Sequence, residues 1–72
     1  MPKIPTLKSR EVEHILERAG FVFIRQKGSH RMYIQGTRAV VLPWHTKDLR
    51  KGTLSNIIAR SGLSVEEFLN LR

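Results

Sequence analysis

Six consecutive residues, Gly28 to Tyr33, gather side chains suited to moving a proton beside a phosphate. Cutting RNA without a metal requires a proton acceptor near the 2′-hydroxyl, positive charge on the phosphate and a donor for the leaving oxygen. Histidine suits the proton work because its side chain titrates near neutrality, and His30 can be that base or acid. Gly28 lets backbone approach a phosphate closely, and its amide and that of Ser29 can donate to phosphate oxygen. Lys27 and Arg31 would hold charge, and Tyr33 can stack on a base or donate a hydrogen bond. The plainer account is that Lys27-Gly28-Ser29 is an ordinary hairpin turn with a surface histidine beside it.

A second group follows at Pro43-Trp44-His45. His45 can be a partner acid or a phosphate contact near Lys47, while Trp44 either stacks on a base or covers the edge of the core. At Lys51-Gly52-Thr53 a helix start offers free amides and a positive dipole to an anion; capping by Thr53 explains the same residues and is compatible with that role. His14 lies off the apolar stripe of its helix and reads as solvated surface. Magnesium wants clustered carboxylates, yet five of the six acids fall on helical segments outside the basic stretch. Histidines at 14, 30 and 45 lack a short ligand spacing, so no metal site or cofactor is expected.

Charge supports a polyanionic partner. The 72 residues carry 13 Lys and Arg against six Asp and Glu, a formal net charge of +7. From Arg25 to Lys51 seven basic residues (Arg25, Lys27, Arg31, Arg38, Lys47, Arg50, Lys51) face one acid, Asp48, a local net of +6. Such an excess on a small surface favours polyanions. No helix pairs a basic face with a broad apolar one, and no apolar run approaches the roughly 20 residues of a membrane span. There is no cysteine, so disulfides and thiolate zinc sites are excluded. The first residues lack the hydrophobic stretch of a signal peptide, and the cytoplasm is the expected location.

Elements must position these residues. Length allows one domain, 1–72. Residues 1–8, with Pro2 and Pro5, read as an N-terminal arm. Ser9 reads as an N-cap, followed by a helix over 10–19 with Val12, Ile15, Leu16 and Ala19 on one stripe and Gly20 as its left-handed stop. Phe21 to Ile24, His30 to Gln35 and Arg38 to Leu42 read as strands, joined by turns at 26–29 and 36–37 into an antiparallel meander. A second helix begins near Lys51, buries Leu54, Ile57 and Ile58 and ends at Gly62. Ser64-Val65-Glu66-Glu67 is a capping-box pattern for a short last helix. The sum is an α+β fold of order α-β-β-β-α with a short C-terminal helix, a three-stranded antiparallel sheet with helices on one face; this is the order of the double-stranded-RNA-binding domain. Strict alternation places His30 on the face of Met32 and Ile34, expected to be the core face, with Arg31 and Tyr33 opposite. A bulge near Ser29 would instead turn His30 to the open face.

Across about residues 7–63 the sequence resembles the HicA-type toxins of bacterial and archaeal toxin–antitoxin pairs. The resemblance rests on Arg25-Gln26-Lys27-Gly28-Ser29-His30 with Tyr33, on Leu42-Pro43-x-His45, and on Leu49-Arg50-Lys51-Gly52-Thr53-Leu54. It implies a double-stranded-RNA-binding-like fold, ribosome-independent cleavage of messenger RNA, and neutralisation by a HicB-type antitoxin. The family's catalytic histidine carries onto His30, with Gly28 and Ser29 in the turn that presents it; His45 matches a motif position. Many relatives carry a second histidine after the first, where this chain has Arg31, which leaves a single-histidine mechanism. Two other readings share the fold: a non-catalytic RNA-binding module, and a subunit whose basic face mainly docks an acidic antitoxin.

Overall fold

A computed structural model describes residues 3–72. In chain order its elements are α1 (Ser9–Arg18), β1 (Val22–Lys27), β2 (His30–Gln35), β3 (Arg38–Pro43), α2 (Lys51–Ser61) and α3 (Val65–Asn70). The strands form one antiparallel sheet in the order β1-β2-β3. The helices pack on one side of it, so the expected α+β architecture is the one the chain adopts.

Apolar spacing explains the helices. Val12, Ile15 and Leu16 of α1 and Leu54, Ile57 and Ile58 of α2 are all buried, one stripe per helix as the 3.6-residue period requires. They meet Tyr33, Val40 and Leu42 from the sheet. The stop after α1 is required twice over. Gly20 has φ +96, and the Gln35 side chain fills the space a Cβ would occupy while its amide donates to the Ala19 carbonyl at 2.8 Å. The capping box forms as read: the Ser64 amide donates to Glu67 Oε1 at 2.9 Å and the Glu67 amide to Ser64 Oγ at 3.0 Å, docking α3 with Phe68 fully buried.

Three local expectations are corrected. The arm over 1–8 is partly built in: Leu7 is buried, the Leu49 amide donates to its carbonyl at 2.9 Å, and Lys8 forms a β-bridge and a 3.1 Å ion pair with Asp48. Met1 and Pro2, the rest of that expectation, lie outside the described residues. Ser9 is not the cap of α1; Lys8 is. The Ser9 side chain is buried instead, donating to the Pro43 carbonyl at 2.7 Å and accepting from the His45 amide at 3.3 Å, so it clamps α1 to the loop after β3. Thr53 does not cap α2, because Arg50 is the N-cap and Thr53 lies inside the first turn.

The faces of the sheet are also reversed relative to expectation. Tyr33 and Val40 face the helices and are fully buried. Their antiparallel partners share that face, as do Arg31 and Leu42 one period on. Met32, Ile34 and Val41 therefore look to the open side, and Val41 is 47% exposed. The cause is chemical. Tyr33 carries an apolar ring with one polar tip, and the tip finds an acceptor in Glu13 of α1.

Candidate nucleic-acid interface

A two-residue turn, Gly28-Ser29, joins β1 to β2 and delivers His30 as the first residue of β2, paired with Lys27. Gly28 has φ +58 and Ser29 does not share a positive value, the pattern of a type II′ turn, which demands glycine at its first position. A Cβ at Gly28 would meet nothing within 4 Å, so backbone conformation, not space, sets the requirement. Both turn carbonyls are held from within the protein. Gln26 Nε2 donates to the Gly28 carbonyl at 2.9 Å, and the Trp44 amide donates to the Ser29 carbonyl at 2.6 Å.

His30 is exposed and stands on the open face of the sheet. No bulge near Ser29 is involved; the face follows from the burial of Tyr33. A bulge does shape the site, in β1. Its register slips between Phe23 and Arg25, so that Arg25 pairs with Met32, Gln26 with Arg31 and Lys27 with His30. Unbroken alternation from Phe23 would set Gln26 beside His30 and turn Arg25 toward the helices. The slip brings both cations to the histidine's face. Arg25, Lys27, His30, Met32 and Val41 line one shallow depression of about 170 Å3.

Beneath β2 lies a polar network. Arg31 Nη1 donates to Glu13 Oε2 at 2.6 Å and the Tyr33 hydroxyl donates to the same oxygen. Arg31 Nε donates to Gln26 Oε1 at 3.0 Å. The guanidinium lies between two rings, 4.0 Å from the Trp44 centroid and 4.7 Å from that of Phe23, a cation–π sandwich. Burial, reinforced by the Glu13 carboxylate, pushes the Tyr33 hydroxyl well above its ordinary range.

The residues singled out from sequence thus divide. Lys27 and His30 come together on the open side, with Gly28 and Ser29 in the turn that joins them. Arg31 faces the other way, and Tyr33, fully buried, has no free ring face for a base; these two brace the strand, a correction to their expected place on the nucleic-acid side. His45 is exposed but lines a separate depression with Trp44. Lys47 is exposed in the loop before α2, Lys51 lines a small hollow beside Pro5 and Thr6, and Thr53 is half-buried. Two residues were missed. Arg25 was counted as charge but lay beyond the expected end of the first strand. Glu13 gave only a helix-start signal, since its partners lie 18 and 20 positions away. Among the described residues no group of three His, Cys, Asp or Glu stands close enough to hold a metal, and no helix is long and apolar enough to cross a membrane.

Comparison with protein families matches residues 9–63 to a family model described as the HicA toxin of bacterial toxin-antitoxin. No curated protein matches the chain.

Proposed function

The chain belongs to the HicA toxin family of bacterial toxin–antitoxin pairs, and from that premise we propose that it is a messenger-RNA endonuclease with His30 as its single catalytic residue. The family implies an antitoxin partner; for this chain we take it to be of the HicB type. The observation that carries the nuclease reading is the exposed imidazole that shares one depression of the open face with Lys27 and Arg25, beside a turn fixed at both carbonyls.

In this reading RNA lies across the open face with one phosphate in the Arg25–Lys27 depression. His30 takes the proton of the adjacent 2′-hydroxyl. The 2′ oxygen attacks phosphorus, the bond to the 5′ oxygen breaks, and that oxygen is protonated from solvent, leaving a 2′,3′-cyclic phosphate and a 5′-hydroxyl. Positioned proton transfer contributes roughly 10²–10⁴-fold, and the two cations stabilise charge growing on the phosphate oxygens. The Gly28 and Ser29 amides stand beside the same phosphate. Lys47, Lys51 and Thr53 stay in the reading as contacts to more distant phosphates, and His45 as a contact outside the chemical step. No step requires a metal, so activity persists in a chelator.

The test is cleavage of a structured RNA in EDTA by purified protein and by His30→Ala. The parent cuts; the variant keeps fold and salt-sensitive RNA binding but leaves the RNA intact. Equal cleavage by both, with contaminating nuclease excluded, ends the proposal. Binding by the parent without cleavage, in chelator or in magnesium, leaves a non-catalytic RNA-binding module. Growth arrest on expression, relieved by a neighbouring small acidic protein, tests the toxin role in cells.

A further inference from the structure

The first turn of α1 and the loop Trp44-His45-Thr46 face each other across a groove that the site around His30 does not use. One depression of about 570 Å3 is lined by Lys8, Arg10, Trp44, His45 and Thr46. A second, of about 470 Å3, is lined by Lys8, Arg10, Glu11, His14 and Arg72. Lys8 and Arg10 line both, so the two depressions adjoin along the start of α1 and are treated as one groove. Nothing in the family match assigns it a role.

Its charge is unevenly spent. The Lys8 ammonium is engaged by Asp48 at 3.1 Å and the Thr46 carbonyl at 3.3 Å, and Glu11 Oε1 accepts from the Lys8 amide at 3.0 Å. Arg10, by contrast, makes no ion pair among the described residues, and Arg72 and the imidazoles of His14 and His45 add further donors beside it. An uncommitted guanidinium next to an indole is suited to a phosphate with a base attached. The walls are also fixed. Ser9 bonds both the Pro43 carbonyl and the His45 amide, which holds α1 against the loop, and Arg31 packs on the Trp44 ring. The groove meets the His30 turn at one end of the sheet, where the Trp44 amide bonds the Ser29 carbonyl.

We propose that this groove binds an unpaired stretch of RNA flanking the scissile linkage, with a base against Trp44 and His45 and phosphates on Arg10 and His14. This rests on the nuclease reading of His30. An aromatic wall can take only a base whose face is free, so the flank is single-stranded, although the fold resembles a duplex-binding domain. RNA would turn over this end of the sheet, from the open face to the α1 side.

Trp44 is the single tryptophan, which makes the test direct. The His30→Ala protein, which keeps RNA whole, is titrated with a short single-stranded RNA and with the same sequence annealed to its complement. The single strand quenches Trp44 fluorescence saturably and the duplex binds at least tenfold more weakly. Adding Arg10→Ala lowers the slope of log affinity against log salt by about 0.7, the value of one phosphate contact on a single strand. In the His30 background Arg10→Ala raises KM for a single-stranded substrate more than it lowers kcat, and His45→Ala does the same. An unquenched Trp44 with unchanged slope and KM overturns the groove while leaving His30 cleavage intact. Equal binding of duplex overturns the single-strand assignment. Quenching and the Arg10 effect on binding, with no cleavage by the parent, support the groove and refute the nuclease reading instead.

Discussion

Replacing Glu13 by Gln removes the charge that Arg31 faces while keeping an acceptor for the Tyr33 hydroxyl. The side chains of Arg31 and Glu13 are only 22% and 23% exposed, and the guanidinium is roofed by two rings, so water replaces little of what is lost. Removing one partner of a fully buried pair costs about 3–5 kcal/mol; with about a fifth of each side chain still wet, the cost here is about 2–3 kcal/mol. A 72-residue domain holds roughly 4–11 kcal/mol in total, so the variant loses a large share. The midpoint of thermal unfolding falls by roughly 8–24 °C. Thermal unfolding followed by circular dichroism measures that midpoint, and urea unfolding followed by Trp44 fluorescence measures the loss of free energy. Combining Glu13→Gln with Arg31→Met tests whether the loss belongs to the pair, with a coupling of at least about 1 kcal/mol expected. His30→Ala, on the exposed face, stays within about 0.5 kcal/mol of the parent. If Glu13→Gln also stays within that margin, the network does not brace β2 and the argument fails.

Tyr33 is the only tyrosine, so its ionisation can be followed by ultraviolet absorbance. Its hydroxyl is held up first by burial and then by Glu13. A raised group contributes stability that is fully present below its unfolded value of about 10 and is lost as pH climbs toward the folded one. Tyrosinate should thus appear only above the ordinary range and together with unfolding, and Tyr33→Phe should flatten that alkaline dependence; titration at the ordinary value in a folded chain would contradict the burial. Gly28→Ala places a side chain at φ +58 and costs about 1–2 kcal/mol, seen in urea unfolding, with cleavage falling further than stability because the turn that aims His30 is displaced. Arg25→Ala lowers kcat/KM by about tenfold, the equivalent of a charged hydrogen bond of about 1.5 kcal/mol, without a change in unfolding midpoint.

Helices and strand order were legible because their signals are local: one apolar stripe per helix, glycines where the chain must reverse, and a capping box within four residues. The central strand was legible in extent and misread in parity. Met32 and Ile34 outrank Arg31 and Tyr33 in hydrophobicity, and only the distant Glu13 makes burial of the second pair favourable. The first strand was cut short for a related reason. Gln26-Lys27-Gly28-Ser29 reads as a turn, yet β1 is an edge strand whose residues are all exposed, so its end needs no apolar residues. The sequence therefore singled out His30 but not the neighbouring Arg25, whose position depends on a one-residue slip that alternation does not announce.

The alternation of β2 has a consequence for how such a chain can change over time. Residues 30 and 31 are neighbours in sequence but lie on opposite sides of a wall one strand thick. A histidine placed at position 31 would join the brace and could not share a phosphate with His30. Selection can therefore act on the two sides separately. If His30 carries the cleavage proposed above, its loss would leave a folded, inert protein that still occupies an antitoxin, whereas loss of Glu13 would weaken the fold itself.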